Sequence, residues 1–191
     1  MFDYSAIIDK YYPQGCALRD LYMEHCSNVA RLARGIARRD ELPLPPVTIE
    51  AAAMLHDIGI CRCDAPSIGC HGSEPYLRHG VIGGDILRSE GAPEEYALVA
   101  ERHTGSGLTP EDAERLGLPA DRSYMPESRL ERLICFADKF FSKSGARRPK
   151  TLGEARESFL RFGPESVQRF DNLAHEFFKT DPLPDIERYL F

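Results

Sequence analysis

In the stretch Ala51-Ala52-Ala53-Met54-Leu55-His56-Asp57-Ile58-Gly59, a run of small apolar residues ends on two polar ones. Ile49, Ala52, Ala53 and His56 fall on one helix face by the i, i+3, i+4, i+7 rule, so His56 stands where an apolar residue belongs. Asp57 follows it directly. Pro43, Pro45 and Pro46 break the chain ahead of this segment, and Gly59 can close the helix behind it. A buried polar group without a partner costs roughly 2–7 kcal/mol by transfer estimates. An imidazole and a carboxylate at the end of a buried helix therefore ask for a common partner.

Working outward, four more apolar stripes each carry one polar residue. Leu18, Leu21, Tyr22, Val29, Leu32 and Ile36 share a face with His25. His79 leads Ile82, Gly83 and Ile86, while Tyr96, Val99 and Ala100 lead into His103. Leu130, Ile134 and Phe141 flank Asp138. A satisfied core histidine would account for any one of these stripes. For all five, with Asp57 beside them, one shared metal site satisfies every donor at once.

Punctuation places the remaining elements. A short helix is predicted from Asp3 to Tyr11, a long one from about Leu18 to Arg39, and one from about Thr48 to Asp57. Another runs from about Tyr76 to Ser89, with Gly91 as its stop, and the next follows Pro93 and ends at His103. Thr109-Pro110-Glu111-Asp112 reads as a helix start, Pro126 opens the Asp138 helix, and Thr151-Leu152-Gly153-Glu154 is a capping box. Pro164 opens a further helix, and Pro182 and Pro184 bracket a last short one. Residues 60–75 form a long Cys-, Gly- and Pro-rich loop, of a length that is often functional. No strand, repeat or long linker is expected. The prediction is an all-α, single-domain helical bundle over 1–191.

The chain has 191 residues, enough for one full core, and 42% of them are hydrophobic. A net charge of −6 argues against a general nucleic-acid grip, though not against a small basic patch around a phosphate. No secretory signal or bilayer-spanning run is visible, so the cytoplasm is the expected location. Six cysteines are then expected as reduced thiols. Cys61, Cys63, Cys70 and His71 suggest a second, zinc-binding cluster, but their spacing is not that of a finger or ribbon.

Imidazole and carboxylate donors suit Fe, Mn, Zn, Co or Ni. Long intervals between the histidines deliver one ligand per helix, as in helical-bundle metal centres. The ordered set of His25, His56-Asp57, His79, His103 and Asp138 resembles the HD-domain superfamily of metal-dependent phosphohydrolases. Residues 51–59 are similar to its central motif, His79-Gly80 with Gly83 and Gly84 to its next segment, and Phe136-Ala137-Asp138-Lys139 to its terminal one. The resemblance covers about residues 20–145, leaving 146–191 as a helical extension with packing or homodimerisation as its open roles.

The resemblance implies one or two divalent ions, with Asp57 bridging two and acting in catalysis. His25, His56 and Asp138 would hold one ion, and His79 and His103 the other. It also implies hydrolysis of a phosphate ester of a nucleotide or small metabolite by a metal-bridging hydroxide. Lys139, Arg102, Lys143 and Arg147 are the candidate substrate cations, whereas Arg148 and Lys150 read as solvated surface charges. Thr104-Gly105-Ser106-Gly107 either offers backbone N–H groups to an anion or is an ordinary helix stop. His71 is a candidate substrate contact, and His175 a surface or packing residue. Two other functions fit the same ligands: a di-iron oxygenase and a nucleotide-binding sensor.

Overall fold

The structure is a computed structural model that describes residues 2–143, 148–178 and 184–190. Nine α-helices occupy those residues: α1 (Tyr4–Tyr11), α2 (Ala17–Arg39), α3 (Pro46–Leu55), α4 (His79–Ser89), α5 (Glu94–Arg102), α6 (Pro110–Arg115), α7 (Arg129–Asp138), α8 (Leu152–Glu157) and α9 (Pro164–Phe178). The all-α expectation holds. Among the described residues, no helix is long and apolar enough to cross a membrane.

Local chemistry accounts for the boundaries. Pro46 opens α3 with a preset φ, and three alanines carry it forward. Capping boxes, Thr109 with Asp112 and Thr151 with Glu154, start α6 and α8. The Asp138 helix begins at Arg129 rather than at Pro126, because the Ser128 side chain accepts the Glu131 N–H and sets the cap there. The expected start at Tyr76 is a 3-10 turn over Tyr76–Arg78, and α4 proper begins at His79.

The helix through residues 51–59 also ends earlier than expected, at Leu55, with His56 as its cap. Buried tyrosines take carbonyls at this end: the Tyr22 hydroxyl donates to Met54 O of the helix, and the Tyr12 hydroxyl donates at 3.0 Å to Ile58 O of the turn that follows. Gly59 lies inside the following 3-10 turn, Ile58–Arg62, and is not a left-handed stop. Its lack of a side chain serves close approach instead, since a Cβ there would stand 2.1 Å from His79 O.

The expectation of no strands is wrong in one place. Residues 63–75 form a small sheet of order β2-β1-β3: β1 (Cys63–Ala65), β2 (Cys70–His71) and β3 (Glu74–Pro75). β1 pairs antiparallel with β2 (Asp64 opposite His71) and parallel with β3 (Cys63 opposite Glu74). Strands of two or three residues are too short to show an alternating pattern.

α2 packs on α3 and α7, α5 on α3 and α7, and α4 on α5 and the turn after α3. The C-terminal extension joins this core rather than hanging from it. Phe136 of α7 lies 5.7, 5.6 and 5.1 Å, ring centre to ring centre, from Phe170, Phe177 and Phe178 of α9. Such aromatic pairs add about 0.5–1.5 kcal/mol each beyond area burial.

Candidate metal centre

Five of the six predicted ligands sit at helix ends or turns. His56 caps α3, Asp57 opens the turn after it, His79 begins α4, His103 caps α5 and Asp138 ends α7. Only His25 lies in mid-helix, on α2. Neighbouring residues on a regular helix point about 100° apart. Leaving the helix at His56 lets His56 and Asp57 turn toward the same point. All six are buried, with His56 and Asp57 at 0% exposure.

Three imidazoles are oriented by the same device. Nδ1 of His56, His79 and His103 lies 2.6, 2.7 and 2.7 Å from the carbonyl oxygen three residues earlier, of Ala53, Tyr76 and Ala100. A carbonyl only accepts, so Nδ1 carries a proton and Nε2 is the nitrogen left to face the centre. Those Nε2 atoms point inward. His79 Nε2 lies 3.0 Å from His103 Nε2, and His25 Nε2 lies 3.3 Å from His56 Nε2.

The carboxylates complete two groups. One oxygen each from Asp57 and Asp138 joins His25 and His56, and Asp57 also joins His79 and His103, with donor atoms in each group within 4.8 Å of one another. Asp57 Oδ2 is 3.2 Å from both His25 and His56 Nε2, while Oδ1 is 3.7 and 3.4 Å from His79 and His103 Nε2. Asp57 thus belongs to both groups, as a bridging ligand must.

Charge at the centre is arranged around these acids. Burial pushes the Asp57 and Asp138 carboxyls up. Lys143 and His56 outweigh it at Asp57, Lys139 and Lys143 outweigh it at Asp138, and both end well below the usual carboxylate range. Burial also disfavours a proton on His56, but Asp57 prevails and raises that imidazole well above its ordinary value. His79 behaves oppositely: burial, with His103 beside it, lowers it to about 3.

These residues fit a divalent cation on three observations. Two neutral imidazoles facing each other through Nε2 lone pairs at 3.0 Å need a positive centre between them. Burial denies His79 the proton that would otherwise serve. Among the described residues, neither Asp57 oxygen accepts a well-aligned hydrogen bond, although Lys143 Nζ stands 2.6 Å from Oδ2, and His25 Nδ1 also lacks a partner.

The candidate substrate cations separate. Lys139 Nζ donates to Asp138 Oδ2 (2.6 Å) and His103 O (2.8 Å), so it aims Asp138 Oδ1 at His25 and His56. Lys143 faces Asp57. The Arg102 guanidinium is taken up by Glu131 (2.9 Å) and Glu127 (3.2 Å) and holds α5 to α7. Arg147 lies outside the described residues. Arg148 is exposed and paired with Glu154, but Lys150, read from sequence as solvated, is half-buried and lines a cavity with Arg161. No signal in the sequence marks Lys150 or Arg161.

Two cavities meet at Phe141–Lys143 beside the centre. One, about 390 Å³, is lined by Asp20, Glu24, His25 and Asn28 among others. The second, about 520 Å³, is lined by Asp138 and by Lys139, Lys143, Lys150 and Arg161, with Ala65, Ser67 and Ile68 of the long loop on its rim.

The cysteines form no second site among the described residues. All six are free thiols, and none joins a metal-capable group. Cys61 and Cys63 direct their thiols to the carbonyls of Ile58 and Gly59, and His71 is exposed on β2. Residues 104–107 act as a helix stop: the buried Ser106 hydroxyl donates to Ser166 O and ties the loop to α9.

Residues 22–142 match the HD domain family, and the chain belongs to it. It is 32% identical over 178 residues to a tRNA (cytidine(56)-2'-O)-methyltransferase of Thermoplasma volcanium, covering 93% of this chain and 47% of that protein. A protein of the same name from Picrophilus torridus is 32% identical over 123 residues, 64% of this chain and 32% of that one. An uncharacterised Methanocaldococcus jannaschii protein is 37% identical over 119 residues, 61% and 63% of the two lengths. The chain spans about half or less of the methyltransferases it matches. Among solved structures, the HD domain of the L. monocytogenes phosphodiesterase PgpH shares the fold with a TM-score of 0.51, over 94% of this chain and 99% of that one, at 16% identity.

Proposed function

We propose that this domain is a metal-dependent phosphohydrolase with a binuclear centre bridged by Asp57, acting on a nucleotide or other small phosphorylated metabolite. One observation carries the reading: two donor groups share Asp57, and Asp138 of one group lines a cavity walled by cations. Divalent ions held there would supply Lewis acidity and a nucleophilic water at neutral pH. The chain's own residues do the rest. His56, His79 and His103 are locked in one tautomer by backbone carbonyls, so their Nε2 atoms are committed as ligands. Lys139 fixes the face that Asp138 presents. Lys143, close to Asp57 and lining the cavity, is placed to meet a phosphoryl oxygen. Ala65, Ser67 and Ile68, from the small sheet and the turn that follows its first strand, line the same cavity.

The fold shared with a phosphodiesterase domain agrees with this reading. The methyl transfer named for the archaeal relatives is a property of longer proteins, and imidazole–carboxylate clusters of this kind serve hydrolysis rather than methyl donation. Elemental analysis of purified protein, followed by a phosphoester screen with the metal found, tests the proposal. Phosphate release with Mn, Co or Ni, indifferent to anaerobic conditions, is the expected result. Two irons per chain with consumption of O₂ would replace hydrolysis by oxygenation. Tight nucleotide binding without turnover would make the domain a sensor.

A further inference from the structure

We propose that the C-terminal extension supplies a second anion subsite, built from Lys150 and Arg161, which selects substrates carrying a further phosphate beyond the one at the metal centre. The inference rests on the phosphohydrolase reading above and deepens it.

The argument is one of charge balance inside the 520 Å³ cavity. Four cations line it: Lys139, Lys143, Lys150 and Arg161. Asp138 answers Lys139 at 2.6 Å, and Asp57 answers Lys143 at 2.6 Å. Among the described residues, no carboxylate comes within ion-pair distance of Lys150 or Arg161. Arg161 is exposed, with its guanidinium 4.6 Å from the centre of the Phe162 ring, and a wall with two cations that no carboxylate pairs focuses a positive field that an anion would offset. Burial pulls the Lys150 pKa below the usual lysine value; Asp138 and Glu154 oppose the shift from a distance, and Lys139 and Arg161 add to it.

The wall is built, not incidental. The Lys150 N–H donates to Phe140 O at 2.8 Å, tying the chain beyond residue 147 back to the end of the Asp138 helix. The Thr151–Glu154 capping box then starts α8, whose C-terminal side brings Ser158, and the turn after it Arg161, to the same cavity. A guanidinium fork beside an ammonium suits phosphate oxygens better than a single carboxylate. Asp138 sits in the same cavity, so one ligand can reach the metal centre and this wall together. The matching chemistry is a diphosphate, or two phosphates on one small scaffold.

Calorimetric titration of inorganic pyrophosphate and orthophosphate into the full chain loaded with Mn²⁺ tests this, with Lys150→Gln, Arg161→Gln and, as a remote charge control, Arg115→Gln on α6. Wild type and the control should bind pyrophosphate at least about tenfold more tightly than orthophosphate. Each cavity variant should lose roughly tenfold of that preference while retaining its metal. An unchanged preference in both cavity variants, or no preference in wild type, overturns the subsite while phosphoester turnover by wild type still stands. Absence of both orthophosphate binding and phosphoester turnover means that the hydrolase reading has failed and the subsite with it.

Discussion

The two oxygens of Asp57 face neighbourhoods with the same ligand types and different charge. On the Oδ2 side, His25 and His56 stand with a second carboxylate, Asp138, whose Oδ1 is 3.0 Å from His25 Nε2. On the Oδ1 side, Asp57 is the one carboxylate that joins His79 and His103 among the described residues. The acidic side holds a proton on His56 against the cost of burial, whereas burial keeps His79 neutral with a pKa of about 3. A cation therefore gains more Coulomb energy on the Oδ2 side but must expel a proton there. On the Oδ1 side it meets two neutral lone pairs already aligned. If the centre is binuclear, as proposed above, loading in sequence with the acidic side first is expected.

Asp57→Ala gives the largest break, because it removes the ligand common to both sides. Metal affinity should fall by more than about 100-fold, beyond the range for loss of an outer partner, with activity lost alongside. Elemental analysis after dialysis checks it, and one equivalent retained would show that the sides do not depend on a shared ligand.

Next in size is the contrast between His56→Ala and His79→Ala. The first should empty the acidic side and weaken the other, and the second should leave one equivalent bound. Equal losses in the two variants would erase the asymmetry.

A smaller effect comes from pH. The raised His56 keeps its proton through the neutral range in the metal-free protein, so first-ion affinity should rise about tenfold per unit as pH increases toward that raised value. Second-ion affinity should depend less on pH through the neutral range, because burial lowers His79 to about 3 and also lowers His103. Titrations in buffers of different ionisation enthalpy should detect proton release with the first ion only.

The smallest effect sharpens the comparison from the backbone. Gly59→Ala would force a Cβ against His79 O and push α4 away from the turn after α3. A loss of about 1–3 kcal/mol is expected, on the scale of overpacking. Thermal unfolding measures it, and second-ion affinity should fall with it while first-ion affinity holds. A wild-type melting temperature would mean that the close approach has slack.

The clustering of these donors was legible because each imidazole interrupts an apolar stripe, a contradiction visible in one helix at a time. His25 among Tyr22, Val29 and Leu32 is such a case. What could not be read depends on pairs distant along the chain. Arg102 beside His103 looked available to substrate until α7 brought Glu131 to it. Lys150 looked solvated until the Phe140 carbonyl and the capping box of α8 set it in a cavity. The sheet around Cys63 escaped because its pairing is made by backbone, with too few residues to leave a pattern.

One rod links the far end of the chain to the cations. Within a single turn, α7 carries Phe136, wedged among the rings of α9, and Asp138, a donor to the acidic side. Trimming a ring such as Phe170, more than thirty residues downstream, would let that rod settle into the void and carry its terminal carboxylate off target. Damage in a purely greasy contact would then be felt as a looser hold on the ion.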